Sequence, residues 1–412
     1  MSEGVPGTDE SIVDDVNGER SAWVMTELRE VLKRTFSFLT ARQLNVCARV
    51  CKVWHKTARR ILARRQNIHW VVDFKSSHPK GQTSHPLGFF GLGLEGKLQS
   101  TDSQPKLALM FTEFSKGAEY RANGPSRKKT EDSGPKKAQE VVDFIRNLLP
   151  SDCILLSLMT PGTVAPTCSE STKPCDESES EGGALCALFP KLPGVEMSLL
   201  PVSLKLLQGG DKDTLWQRWQ ETGLSPTDTQ CILLFGWGFT TGVQQAALEL
   251  QRLFLEKAGR SPVIAGAIVN RLLSKGLFSR SEESSGVIGV MFSGPNVRAA
   301  SVVLGEEVRQ REDTRRAILR LKEANIHAGS ASQSVGFMFA CAGRGQFFYG
   351  SKNVESEEFH RVFPDTPLFG LFGGGEIGCE NLSRGEKIDN GRLKSIAHAY
   401  TTIMCLVTFD PS

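Results

Sequence analysis

Leu28, Val31, Leu32, Phe36 and Leu39 recur at helical spacing, which predicts a first helix with one apolar face. Thr40 and Gln43 then form a capping-box pair that starts a second helix, with apolar positions at Leu44, Cys47, Ala48 and Cys51. A third stripe follows at Val50, Val53, Trp54 and Ile61. A segment of ~40–50 residues has too little interior to bury its own apolar faces. The three-helix module is therefore expected to leave its stripe to another surface. Beyond it the period changes. Ile68, Trp70, Val72 and Phe74 alternate with other residues as in a strand, and a second strand is expected over 107–114. Val141, Val142, Ile145, Leu148 and Leu149 mark a helix that ends at Pro150. From about residue 184, strands and helices alternate. The strands are expected over 184–189, 231–237, 263–269, 287–292, 297–304, 335–341, 367–372 and 399–409, and the helices over 211–221, 241–259, 309–325 and 353–363.

Ser293-Gly294-Pro295-Asn296 lies between two strand runs and reads as a hairpin turn. A hairpin inside an alternating pattern points to mixed sheets with helices on their faces. The expected fold class is α+β: a small three-helix module, then a large mixed α/β region whose mostly antiparallel or mixed sheets are covered by helices. Cys-Ile-Leu-Leu occurs at 153–156 and again at 231–234, a hint of duplicated βα units.

Composition divides the chain further. At 412 residues it has room for two or three domains. Residues 1–20 are acidic and poor in apolar residues, as in a disordered tail, and flexible inserts are expected near 121–137, a linker, and 166–183, which should be disordered. Residues 52–65 carry Lys52, Lys56, Arg59, Arg60, Arg64 and Arg65 and no acid, a pattern for which solvation of a helix face is the favoured reading and electrostatic steering of an acidic partner the alternative. The formal charge of +3 is too small to announce a nucleic-acid partner, and none is expected. No run of ~20 apolar residues suggests a membrane span. The acidic N-terminus does not read as a signal peptide. Ten scattered cysteines suit a reducing compartment, so the cytoplasm and nucleus are expected.

Candidate chemistry is sparse. Gly91-Leu92-Gly93-Leu94-Glu95-Gly96 spells a dinucleotide fingerprint, but residues 97–106 show no helical stripe to receive a pyrophosphate. Cys47, Cys51 and His55 have metal-like spacing but lack a fourth ligand, so core packing is expected. No metal and no cofactor are expected. Cys341 stands at a strand end before Arg344, whose charge would favour a thiolate; lining a pocket is the preferred role. Gly373-Gly374-Gly375 allows close backbone approach, and Glu376 with Arg344 would read two ends of a polar ligand or hold local contacts.

The first helices resemble the F-box through Leu28, Val31, Leu32, Phe36, Leu39, Leu44, Val50, Cys51 and Trp54. Glu27-Leu28 stands where that family has Leu-Pro, and Thr35 replaces an aliphatic residue. The resemblance implies docking onto a Skp-type adaptor, and through it onto cullin and RING subunits. The implied adaptor-binding residues are Leu28, Val31, Leu32, Phe36, Leu39, Leu44, Val50 and Trp54. Residues 336–345 and 367–378 resemble the two signature blocks of the FIST C domain, a module proposed to bind small ligands. They place a candidate substrate or ligand pocket at Cys341, Arg344, Gly374 and Glu376. The implied layout is a tail at 1–20, an F-box at 21–66, a FIST N-like region at 67–250 and a FIST C-like domain at 251–412. The implied function is a non-catalytic substrate receptor of a Skp-cullin-F-box E3 ubiquitin ligase, capturing proteins for proteasomal degradation. The alternative is a ligand-sensing module whose FIST region binds a small metabolite.

Overall fold

The computed structural model describes residues 23, 29–74, 95–113, 133–167, 175–179, 183–202, 213, 216–217, 220, 227–238, 240–278, 285–324, 332–382 and 396–411. The chain forms two compact units, Met1–Asn67 with Gln99–Gln104, and Ile68–Leu98 with Pro105–Ser412. The expected 1–20 tail, Leu28, Gly91–Leu94 of the glycine motif and most of the 211–221 helix lie outside the described residues.

The first unit holds α1 (Arg29–Ser37), α2 (Ala41–Cys47) and α3 (Lys52–Arg64). The capping box forms as expected: Gln43 N–H donates to Thr40 Oγ1 at 3.3 Å and Thr40 N–H donates to Gln43 Oε1 at 2.9 Å. Leu32, Phe36, Leu44, Ala58 and Leu62 make a buried core, and Phe36 meets Trp54 edge-on at 5.1 Å. The expectation that an outside surface must cover this stripe is thus corrected. The unit closes itself because its polar groups tie the ends together. Arg65 donates to the carbonyls of Ser37 and Leu39 at 2.6 Å and to that of Asp102 at 3.0 Å, while Ala41 N–H donates to Thr101 O.

The second unit repeats one pattern three times. The first repeat comprises β1 (His69–Phe74), β2 (Pro105–Glu113), α4 (Ser133–Leu148), β3 (Ile154–Thr160), β4 (Gly162–Pro166), β5 (Cys175–Glu179) and β6 (Gly183–Pro190). The second comprises β7 (Glu196–Val202), β8 (Thr229–Trp237), α5 (Thr240–Ala258), β9 (Val263–Ile268), β10 (Arg271–Leu272) and β11 (Gly286–Ser293). The third comprises β12 (Val297–Leu304), α6 (Arg311–Glu323), β13 (Gln333–Cys341), α7 (Gln346–Tyr349), α8 (Val354–Val362), β14 (Leu368–Gly373), β15 (Glu376–Gly378), β16 (Ala397–His398) and β17 (Thr402–Phe409).

The sheets run β1-β6-β2-β3-β10, β7-β11-β8-β9-β15-β16 and β12-β17-β13-β14-β4-β5. Each has one parallel pair, β2/β3, β8/β9 or β13/β14, and antiparallel neighbours on both sides. Each repeat also lends the strands after its parallel pair to the sheet of another repeat. β4 and β5 join the third sheet, β10 the first, and β15 and β16 the second. The mixed, helix-covered sheets expected from the sequence are present.

Alternation along the strands places one face of every sheet in a shared core. There Phe235 meets Phe111 at 5.8 Å and Phe339 at 5.6 Å, and Phe189, Phe292 and Phe409 contact one another at 5.7, 6.4 and 5.6 Å. The opposite faces are covered by helices. Val141, Val142 and Ile145 of α4 pack with Ala108 and Met110, Val243 and Ala247 of α5 with Ile232 and Leu234, and Ile318 of α6 and Phe359 of α8 with Met338 and Leu406.

Several sequence expectations change here. The turn at 293–296, with Gly294 at φ +115, is not a hairpin, because β11 and β12 belong to different sheets and the turn carries the chain between them. The repeated Cys-Ile-Leu-Leu runs do not mark equivalent strands: one enters β3, the second of a parallel pair, and the other lies in β8, the first. Residues 97–106, expected to show no helical stripe, open in the last turn of a short helix at 95–99. The expected insert at 166–183 contains β5, with Cys175, Glu177 and Ser178 buried. Its acids fit because they cap helix ends: Glu177 Oε1 accepts Ser356 N–H and Glu179 Oε1 accepts Gln346 N–H, both at 2.8 Å. Of the 121–137 insert, residues from Ser133 onward belong to α4, and 121–132 lie outside the described residues. The expected 250/251 division falls within α5, between the parallel strands of the second repeat.

Candidate functional site

Two regions gather the residues singled out by sequence. In the first unit the structure divides the expected adaptor set. Leu32, Phe36 and Leu44 are sealed in the core, Leu39 and Trp54 are half-buried, and Val31 and Val50 face solvent. Phe38 is 80% exposed and Val46 and Val50 are each 62% exposed, although all three are apolar. Val46 and Val50 are four residues apart across the end of α2, where Arg49 N–H donates to Val46 O and Val50 N–H to Cys47 O. Phe38 and Val46 were not expected from the sequence; the signal available was that each falls off the core stripe set by Leu32, Phe36 and Leu44. Cys47 closes α2, whereas Cys51 is exposed and begins α3, so the Cys47/Cys51/His55 spacing does not run along one helix and Cys51 is no core thiol. Among the described residues no group of three or more His, Cys, Asp or Glu is placed to hold a metal.

The second region lies where β13 and β14 end. Arg344 is fully buried, and all its donors are used inside the protein. Nε donates to Glu355 Oε1 at 2.9 Å, Nη1 to the carbonyls of Gly305 at 2.9 Å and Tyr400 at 3.1 Å, and Nη2 to Val308 O at 3.2 Å and to the Tyr349 hydroxyl. Its guanidinium also lies over the Phe348 ring, 4.4 Å from the centroid. Of the two roles open to Arg344, reading a ligand or holding local contacts, the hydrogen bonds fit the second: five donors are engaged, and none is left to offer. What it fixes is the turn before β17, where Tyr400 takes a left-handed φ of +58.

The glycine run is likewise a crossing between sheets. Gly374 N–H donates to Ile268 O and Gly375 O accepts Ile268 N–H, both at 2.8 Å, and a Cβ on Gly373 would stand 2.8 Å from that of Ala267. Gly374 itself faces solvent. Glu376 is buried, and its Oε2 accepts from Thr401 N–H at 3.2 Å and Thr401 Oγ1 at 2.9 Å. Its Oε1 has no hydrogen-bond partner of normal geometry, although the carboxyl interacts with the Cys341 thiol. Cys341 is half-buried. Burial, with the Glu376 charge beside it, pushes its thiol up, opposite to the low-pKa thiolate that Arg344 was expected to support.

A family model for the FIST C domain matches residues 289–379, which include both sequence blocks quoted above. F-box only protein 22 from Homo sapiens is 31% identical over 410 residues, covering 95% of this chain and 96% of that protein. The chain belongs to the F-box only protein 22 family. The relative from Pongo abelii matches with the same identity and coverage. An F-box/LRR-repeat protein of Arabidopsis thaliana is 33% identical over 75 residues, 18% of this chain and 14% of that protein. Among solved structures, a cyanuric acid hydrolase from A. caulinodans is similar over 83% of this chain and 97% of its own at 10% identity, with a TM-score of 0.36. Among the described residues no helix is long and apolar enough to cross a membrane.

In this F-box and FIST chain two buried carboxyls make stability depend on pH. Burial, then the charge of Glu355, raises Glu177 to about 7, and burial, partly offset by Thr401, raises Glu376 to about 7. Both start from 4.5, so the folded state holds extra protons between those values. Their stabilisation is full below the unfolded value and lost as pH rises through about 7. The melting temperature is expected to be higher at mildly acidic pH than in alkaline buffer, and Glu376→Gln to narrow that difference. An unchanged pH profile in the variant would remove Glu376 from this role.

Proposed function

We propose that this chain is the substrate-recognition subunit of a Skp-cullin-F-box E3 ubiquitin ligase, working in the cytoplasm and nucleus. The observation that carries the reading is an exposed apolar set, Phe38, Val46 and Val50, on a module whose core is already satisfied without it. Large apolar side chains left in solvent on a module whose core is complete suit an interaction face, and Val46 and Val50 lie one turn apart. The family relationship supports a Skp-type adaptor as the occupant, through which the cullin and RING subunits would be reached. The FIST unit captures protein substrates, and the chain contributes proximity to a bound E2 rather than covalent chemistry.

Co-purification with the adaptor tests this. Val46→Asp with Val50→Asp is expected to weaken adaptor binding at least a hundredfold while leaving the melting temperature unchanged, because both side chains are already in water. Adaptor binding that survives the double substitution would refute the docking face. Leu32→Asp is a different experiment, since it places a charge in the core and removes the module itself.

A second reading, ligand sensing by the FIST unit, is favoured by one observation, the buried Glu376 Oε1, which has no hydrogen-bond partner of normal geometry. A small donor-bearing metabolite that satisfies it would raise the melting temperature of the wild type and not of Glu376→Gln. A screen of amines and amides that moves neither protein would set this reading aside.

A further inference from the structure

The apolar face does not account for α3. Lys52, Lys56, Arg59, Arg60 and Arg64 are all exposed on that helix, while Ala58 and Leu62 are buried. At 3.6 residues per turn the five cations share an arc of about 140° on the side away from the buried Ala58 and Leu62, with the half-buried Val53 near one edge of that arc. From Lys52 to Arg64 they extend for about 18 Å along the helix axis, at 1.5 Å per residue. The helix carries no acid, and Glu30 and Asp102 are the carboxylate side chains of this unit among its described residues. Glu30 pairs with Lys33 at 2.6 Å. No carboxylate of the described residues pairs with Lys52, Lys56, Arg60 or Arg64. Solubility alone does not require charge of one sign in one row, and mixed charges would avoid the self-repulsion.

We infer that the exposed face of α3 is a docking ridge for an acidic polypeptide segment, separate from the adaptor face at Val46 and Val50. A length of about 18 Å matches five or six residues of extended chain, or about three turns of a helix bearing carboxylates at i, i+4 and i+8. The chemistry favours a protein over a nucleic acid. No exposed aromatic ring lies on the ridge for a base to stack on, because Trp54 of the same helix is half-buried against Phe36. The whole chain carries only +3, so it has no long-range field to gather a nucleic acid.

Fluorescence anisotropy of the full chain with a labelled twelve-residue oligoglutamate, an oligoglutamine of equal length and a twelve-nucleotide single-stranded DNA decides the matter. Oligoglutamate is expected to bind, with affinity falling about tenfold between 50 and 300 mM salt as screening shortens the interaction range. Joint charge reversal by Lys52→Glu, Lys56→Glu, Arg60→Glu and Arg64→Glu is expected to reduce binding at least tenfold with unchanged helical circular dichroism. Reversal of the exposed Arg316 in the second unit is expected to leave it unaffected. If the fourfold variant unfolds, the neutral pair Lys56→Gln and Arg60→Gln, with an expected threefold loss, decides instead. Equal binding of oligoglutamine, full binding by the substituted ridge, or tighter binding of DNA than of oligoglutamate would overturn the inference.

Discussion

Replacing Arg344 with methionine is expected to destabilise the second unit by about 3–5 kcal/mol, the cost of breaking a buried ion pair by removing one partner. Glu355 is buried beside it and would keep only Thr402 Oγ1 and the Tyr349 hydroxyl, each at 2.7 Å. The Tyr400 carbonyl would lose its Arg344 donor, and those of Gly305 and Val308 would be left with Val308 N–H at 3.1 Å and the Tyr349 hydroxyl at 3.3 Å. Methionine fills the volume but supplies no hydrogen, so packing alone cannot compensate. Adding Glu355→Gln should recover part of the loss, because the unpaired charge disappears with its partner. Urea unfolding of the two single variants and the double variant measures this coupling. An Arg344→Met protein as stable as the wild type would show that the cluster does not hold the turn before β17.

Phe235→Ala is expected to cost about 3–5 kcal/mol, typical of deleting a buried aromatic ring and leaving a cavity. The more informative result is where the cost appears. Phe235 touches Phe111 and Phe339, so its ring bridges the parallel pairs of three different sheets. Hydrogen exchange should therefore lose protection in β2, β8 and β13 together. Loss confined to β8 and its immediate neighbours would mean that the sheets unfold separately and do not share one core.

Much of this architecture is legible from local pattern. The capping box at Thr40 and Gln43, the helix around Val243 to Phe254 and the long apolar strands all announce themselves through period and capping chemistry. What the pattern hides is pairing. Ser293-Gly294-Pro295-Asn296 has hairpin chemistry, yet β11 finds β7 and β8, and β12 finds β17, because the inward face of each strand is buried equally well against a distant partner. Short strands such as β10 and β15 are invisible for a related reason: their few residues form because an open sheet edge already exists beside them. Polar β5 reads as an insert until its carboxylates are seen capping two helices. At the candidate sites, the residue types were recognised but their roles were not. A spacing such as Val31, Leu32, Phe36 and Leu39 marks an apolar stripe without saying that Val31 faces outward. Likewise, Arg344 next to a strand-end cysteine gives no sign of the acid eleven residues on that claims it.

The exchange of strands among the repeats limits how such a protein can change in size. In a linear solenoid each repeat touches only its neighbours, and copies can be added at either end. Here β4–β5 of the first repeat complete the third sheet, so the last copy is stitched back to the first. A fourth copy would find no free edge to receive its strands, and removing one would strip an edge from a survivor. The copy number is locked by topology, and variation must enter through the connecting segments instead.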